Sequence, residues 1–268
     1  MQITPLIGCN YSAKDLKDGD VLTIGGRILA RSQNGPKALT LKVDSREFEP
    51  FFAACDEFYE KHKENLAKSD DWFREKGAAP AIASRLFAYN RVFEQFFPGN
   101  PAPDEARRMD HYRSNGRTSN LSDALKTNVA QCAECAALAQ LYAQRCGFDS
   151  SFINGEVLWQ KTHEFGEEHS YVAIRQPSSD SVLIFDPANP HTMDNGKTFP
   201  YLATVNATLW EQALEHGINK PQFVESTNVL MGANAHYGVG CGDNILPDHF
   251  VTPPAAAAHK TPERNLVR

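Results

Sequence analysis

The sequence predicts an α+β protein in which one central helix is followed by a group of strands. A helix is indicated at residues 127–148, "TNVAQCAECAALAQLYAQRCGF", where apolar and small residues recur at helical spacing. Three short runs rich in Val, Ile, Phe and Tyr come next, "SSFINGEVLW", "EHSYVAIRQ" and "SVLIFDPANP", and each ends in polar or turn residues. We therefore expect the strands to follow the helix in the chain and to lie against it.

The N-terminal half carries two further patterns. Apolar and polar residues alternate around Asn34-Gly35, a dipeptide suited to tight turns, which predicts a β-hairpin. Residues 47–97 repeat apolar positions every three or four residues and are predicted to be helical, until "FFPGNPAPDEARR" breaks regular structure. The chain is thus expected to divide into a hairpin region (1–44), a helical region (45–104), a core region (105–250) and a mobile tail (251–268).

Composition excludes several classes of protein. The 268 residues are 41% hydrophobic and 22% charged, as in an ordinary globular protein, and a formal charge of -6 argues against a nucleic-acid partner. We expect no membrane span and no Sec-type signal, because no stretch is apolar for long enough. Six scattered cysteines favour reduced thiols, and hence a cytoplasmic protein or one delivered into a host cell without a Sec signal.

Cys132 and Cys135 allow three interpretations. A zinc site needs four ligands, and His163 and His169 would formally complete it, but "EFGEE" between them contains a glycine and leads into a strand. The six-residue spacing of these histidines also excludes the helical His-Glu-x-x-His metalloprotease motif. A redox pair lacks the preceding apolar strand of thioredoxin-like proteins. The third interpretation makes Cys132 alone a nucleophile.

The position of Cys132 favours this third interpretation. Asn128 is a candidate N-cap with Gln131 at capping-box spacing, so Cys132 is expected in the first turns of a helix that ends near Arg145, before Gly147. The positive end of a helix favours a thiolate. Other residues of this helix are expected to pack it into the core.

Three neighbours of Cys132 are assigned structural roles. Cys135 and Cys146 are expected to pack the helix into the core, because free cysteines are among the most buried residues. Glu134 is expected to be a solvated carboxylate that interacts with the helix dipole.

A reactive thiol needs a base and a group that orients the base. His169 opens a strand-like run and Asp186 closes the next one, so a hairpin of these strands would bring the two side chains together. Pro187 favours an extended backbone at Asp186. His163 is the second choice for the base, and Asn189 is the second choice for the orienting group.

These residues together resemble the transglutaminase-like branch of the papain-like superfamily over about residues 120–195. The motif reads Cys132-Ala-Glu134-Cys135-Ala136-Ala-Leu138, followed by "HSYVAI" and "FDPANP". The resemblance implies a central helix packed on an antiparallel sheet within a catalytic core at 105–250. It also implies Cys132 as nucleophile, His169 as base and Asp186 as orienting acid.

The reaction that the resemblance implies is acyl transfer from a carboxamide through a thioester, without a cofactor or a metal. One oxyanion donor is expected to be the Cys132 backbone N–H, and Gln131, Asn128 and Trp159 are the candidates for the second. Some bacterial effectors of similar arrangement deamidate a protein glutamine, and this is the expected reaction. A cysteine peptidase or amidase, a transglutaminase cross-linker and an inert binding module that retains the fold remain the alternatives.

Overall fold

The second half of the chain folds in the predicted order, one long helix followed by strands. The computed structural model describes residues 11–24, 39–102, 104–158, 167–177, 179–192, 198–216, 222–229, 236–239 and 250–251. The α-helices in these ranges are α1 (Glu49–Leu66), α2 (Asp70–Glu75), α3 (Pro80–Phe96), α4 (Glu105–Ser114), α5 (Leu121–Lys126), α6 (Cys132–Arg145) and α7 (Ala207–His216). Short 3-10 helices span Ser45–Phe48 and Ala67–Ser69. The strands are β1 (Tyr11–Ala13), β2 (Val21–Ile24), β3 (Leu39–Lys42), β4 (Thr118–Asn120), β5 (Ser150–Leu158), β6 (Glu167–Arg175), β7 (Ser181–Thr192), β8 (Thr198–Asn206), β9 (Gln222–Asn228), β10 (His236–Val239) and β11 (Phe250–Val251).

The larger sheet curls until it closes on itself. Strands β6, β7, β8, β9 and β10 follow one another as antiparallel neighbours, and β5 pairs with both β6 and β10. β1 extends the sheet beside the first half of β5, and β11 pairs parallel with β9. The result is a closed ring of six antiparallel strands with one apolar cluster inside it and another outside.

Helix α6 is the central helix of the fold. Every side chain from Ala133 to Ala143 is buried. The helix packs on β5, β6 and β7 of the ring. On its other side the Tyr142 ring lies 6.2 Å from the Phe52 ring of α1 and 5.4 Å from the Tyr89 ring of α3, measured between centroids. The predicted α+β fold, a central helix packed on an antiparallel sheet, is therefore confirmed.

The inside of the ring is a separate apolar cluster. Helix α7 supplies three of its members, Ala207, Trp210 and Ala213, which are 9%, 2% and 0% exposed. Alternate residues of the strands supply the rest, as the two-residue period of a strand requires. These include Ile153, Tyr171, Ile184, Ala203 and Val224. The ring thus has an apolar interior and presents its outer face to α6.

The predicted N-terminal hairpin is present as an antiparallel pair. β2 pairs with β3 in a register that places Val21 opposite Lys42 and Ile24 opposite Leu39. Asn34 and Gly35 lie outside the described residues. Strand β4 adds to β3 in parallel, so that this small sheet joins the hairpin to the segment just before α5.

The predicted helical region contains α1 and α3, and α3 ends at Phe96, just before Pro98. The next helix, α4, begins after Asp104, whose carboxylate accepts the Arg107 N–H at 3.1 Å as an N-cap. Buried residues of α1 and α3 belong to the same apolar cluster as those of α6. The helical region and the core region therefore share one hydrophobic core, whereas the predicted tail after residue 251 lies outside the described residues.

None of the helices within the described ranges is both long enough and apolar enough to cross a membrane.

Candidate active site

The site begins at the first turn of α6. Cys132 is the first helical residue and Gln131 is the N-cap, so the predicted cap at Asn128 is wrong. Asn128 has a φ of 55°, in the left-handed region that Asn tolerates in turns, whereas an N-cap requires an extended backbone. The capping box is formed instead by Gln131 and Glu134, with the Gln131 N–H donating to Glu134 Oε2 at 3.0 Å.

The end of α6 agrees with the prediction. Gly147 has a φ of 76°, and its N–H donates to the Gln144 carbonyl at 2.9 Å. The Phe148 N–H donates to the Ala143 carbonyl at 3.0 Å, which completes a Schellman motif. Both ends of the helix are therefore fixed by local hydrogen bonds.

The two cysteines of the first turns occupy different environments. Cys132 is half-buried at the helix N-terminus, whereas Cys135, one turn later, is fully buried in the apolar cluster. Burial, with the nearby Glu134 carboxylate, raises the pKa of Cys135 well above its ordinary value. Cys146 is half-buried and packs against the same cluster. Cys132 is thus the accessible thiol of the pair, and Cys135 has the predicted packing role.

His169 and Asp186 are brought together by the closed sheet. His169 lies in β6 opposite Gly155 of β5, and Asp186 lies in β7 where the pairing with β8 becomes irregular. His169 Nε2 lies 2.7 Å from Asp186 Oδ2. His169 is 7% exposed and Asp186 is fully buried. The two residues proposed from their order in the sequence therefore form a buried pair.

Cys132 lies beside this pair, close enough to interact electrostatically with His169. Burial alone lowers the pKa of His169, but the Asp186 charge and hydrogen bond, together with Cys132, raise it to about 10. His169 is therefore an imidazolium at neutral pH, between a thiol and a carboxylate.

Asn189 completes the polar cluster around Asp186. Its side-chain nitrogen donates to Asp186 Oδ2 at 2.9 Å and lies 3.2 Å from His169 Nε2. The Ala188 N–H donates to Asp186 Oδ1 at 3.2 Å. From the sequence, Asn189 was an alternative to Asp186 as the orienting group, and the fold brings both to His169.

Glu134 differs from its prediction as a solvated carboxylate. It is fully buried, and its Oε1 accepts from Arg108 Nε at 3.0 Å and from the Tyr112 hydroxyl at 2.6 Å. The physical reason is that α4 packs two donors, one turn apart, over the start of α6. Burial raises the pKa of Glu134, but Arg108, the Tyr112 hydroxyl and the Gln131 N–H hold it below its usual range. Sequence reasoning missed Arg108 and Tyr112, for which the only signal is their four-residue spacing on a helix.

A cleft of about 330 Å³ opens beside Cys132. Its wall includes apolar Leu39 and Met109 and charged residues of α4. Asn154 of β5 and Ser170 of β6 line it as well, paired across the two strands. The volume lies at the small end of the range for ligand sites, so the cleft suits a side chain or a short chain segment.

The described residues contain no group of three or more His, Cys, Asp or Glu side chains that could hold a metal ion. His163 and Trp159, considered above as a base and as an oxyanion donor, lie outside the described residues. Of the remaining oxyanion candidates, Gln131 lines the cleft, and Asn128 accepts a hydrogen bond from Asn100 at 3.3 Å.

The protein was also compared with known proteins. Neither the protein-family models nor the curated proteins nor the solved structures gave a match to this chain.

Proposed function

We propose that the protein is a thiol-dependent acyl-transfer enzyme that acts on a carboxamide. The observation that carries this proposal is the buried His169–Asp186 pair, 2.7 Å apart, beside a half-buried cysteine at a helix N-terminus. A nucleophile, a base and a group that orients the base are the three parts that covalent acyl transfer needs.

In the proposed mechanism, Cys132 and His169 are the two groups between which the proton is transferred. Because the Nε2–H of His169 donates to Asp186, Nδ1 is the nitrogen left to face the thiol. The His169 ring and the first turn of α6 are the two groups that would activate the Cys132 sulfur as a nucleophile. Asp186 is held by two further hydrogen-bond donors and keeps the ring in place.

The reaction then runs in two halves. The Cys132 thiolate attacks the carbonyl carbon, and the resulting oxyanion collapses to a thioester as His169 gives its proton to the departing ammonia. Water deprotonated by His169 then attacks the thioester and releases an acid and the free thiol. For a glutamine side chain the net result is glutamate and ammonia.

A protein glutamine is the substrate that we propose. The cleft is too small for a large ligand but admits one extended side chain, and its walls are partly apolar, which suits the methylene groups of glutamine. The four described cysteines are free, as expected in a reducing compartment. We propose that the enzyme acts in the cytoplasm or, after delivery, inside a host cell.

Mass spectrometry of candidate proteins incubated with the wild-type enzyme tests this function. Deamidation adds about one dalton to a glutamine and releases ammonia, whereas a peptidase cuts the chain and a cross-linker joins two chains. Cys132→Ala is expected to abolish the change, and Cys146→Ala, which removes another half-buried thiol at the opposite end of the same helix, is expected to retain it. A mass change that persists in Cys132→Ala would contradict the proposal, and no change with any substrate would favour an inert binding module.

A further inference from the structure

Two backbone N–H groups in the first turn of α6 have no hydrogen-bond acceptor among the described residues. A helix leaves its first N–H groups without intrahelical acceptors. The capping box satisfies those of Gln131 and Glu134. Among the described residues, no acceptor is bound to the N–H groups of Cys132 and Ala133, and both residues line the cleft.

Asn154 faces the same cleft from the strand side. Its side chain is almost wholly buried, with the residue only 4% exposed. Its Oδ1 accepts from the Ser170 hydroxyl at 2.8 Å. Within the described part of the chain, nothing accepts a hydrogen bond from its amide nitrogen. The nitrogen itself is not sealed from the cleft, so this donor is available to a molecule bound there.

Three other polar side chains of the cleft wall are already engaged. Gln131 accepts the Glu134 N–H and donates to the Ala102 carbonyl at 3.3 Å. The Ser170 hydroxyl is used by Asn154, and the Arg108 guanidinium is held by the Glu134 carboxylate. Asn154 is therefore a buried amide of the cleft wall whose donor is not used by another described residue.

We propose that Asn154 is a catalytic residue that binds the carbonyl oxygen of the substrate amide together with the Cys132 backbone N–H. This inference rests on the proposed acyl transfer. When the Cys132 sulfur bonds to the carbonyl carbon, the C=O electron pair moves onto oxygen, and the two donors stabilise that charge. When the C=O bond re-forms, the C–N bond breaks and the amine leaves with the proton of His169.

Two reactions of the same thiol test this role separately. Alkylation of Cys132 by iodoacetamide takes place at a saturated carbon and forms no oxyanion, whereas acylation by p-nitrophenyl acetate passes through one. The variants are Asn154→Ala and Asn154→Asp. The second is nearly isosteric and keeps an acceptor for Ser170, but at pH 8 it has no N–H to donate. Ser170→Ala is the control that alters the same strand pair and retains the amide.

For both Asn154 variants we expect acylation to slow by about 10²–10³-fold, the usual cost of one oxyanion donor, while Cys132 alkylation stays within about twofold of wild type. Ser170→Ala is expected to affect acylation far less. Equal losses in both reactions would show a merely structural role and overturn the inference, as would unchanged acylation in Asn154→Asp. The inference is also overturned if the wild type is acylated no faster than the Asn154→Ala variant. If Cys132 is alkylated slowly in the wild type, the proposed function itself fails, and this result differs from the results that overturn the role of Asn154.

Discussion

Glu134 offers a severe test of how the start of α6 is held. Glu134→Ala would leave the Arg108 guanidinium, whose side chain is only 6% exposed, without its carboxylate partner. Removing one partner of a buried ion pair costs about 3–5 kcal/mol of stability. Loss of a capping interaction by itself costs about 1 kcal/mol. Because these interactions share one carboxylate, they do not add fully, and we expect a total loss of about 3–5 kcal/mol. Urea unfolding followed by circular dichroism at pH 7 measures it.

Glu105→Ala is the matched control for this experiment. Glu105 lies 3.6 Å from the same arginine, but its side chain is 57% exposed, so its removal should cost about 0–1 kcal/mol. The double variant of Glu134→Ala with Arg108→Ala should lose less than the sum of the two single losses, because the unpaired charge is gone. A loss below about 1 kcal/mol for Glu134→Ala, or strict additivity, would refute the reasoning.

The pKa of Glu134 adds a pH dependence to the same prediction. Its folded-state pKa lies below the ordinary 4.5, so the carboxylate contributes its full stability above pH 4.5. That contribution is lost as the pH falls through the folded-state value. The difference in unfolding free energy between wild type and Glu134→Gln should therefore shrink on acidification, and a difference that grows would contradict the assignment.

Three further predictions concern the other parts of the site and its support. The folded-state pKa of His169, about 10, lies above its ordinary 6.5, so its stabilising charge is complete below pH 6.5 and is lost as the pH rises toward 10. The unfolding free energies of wild type and His169→Gln should converge over that range, and a constant gap would count against the ion pair. Asn189→Ala removes a hydrogen bond to the buried Asp186 carboxylate and should cost about 1.5–3 kcal/mol in urea unfolding, while a loss under about 0.5 kcal/mol would show that the contact is not formed. Leu138→Ala deletes a fully buried side chain of α6 and should lower stability by about 2–5 kcal/mol, whereas a neutral result would mean that this face of the helix is not packed.

The features that sequence reasoning predicted well are those fixed by local chemistry. The extent of α6 follows from helical periodicity. Its C-terminus, just before Gly147, follows from the ability of glycine to adopt a positive φ. The pairing of β2 with β3 follows from alternation. The N-cap was misplaced by three residues because Asn128 and Gln131 are both polar, and the choice between them depends on where the chain turns.

The features that it missed depend on residues far apart in the chain. Arg108 and Tyr112 precede Glu134 by 26 and 22 residues, and no local pattern connects them with it. The closure of the ring between β5 and β10 is equally nonlocal. The order of histidine and aspartate in the sequence predicted that the two side chains would meet, but only the fold shows that Asn189 contacts both of them.

The measurement that bears most directly on the whole account is the rate of Cys132 alkylation by iodoacetamide at pH 7, followed by peptide mass spectrometry. Burial raises the pKa of Cys146, so in the wild type Cys132 should react at least about tenfold faster than Cys146. His169→Gln should remove that advantage. His111→Gln, a matched change at a half-buried histidine bound to Ser119, should preserve it. Equal reactivity of the two cysteines in the wild type, or an advantage that survives His169→Gln, would contradict a thiol activated by the His169–Asp186 pair.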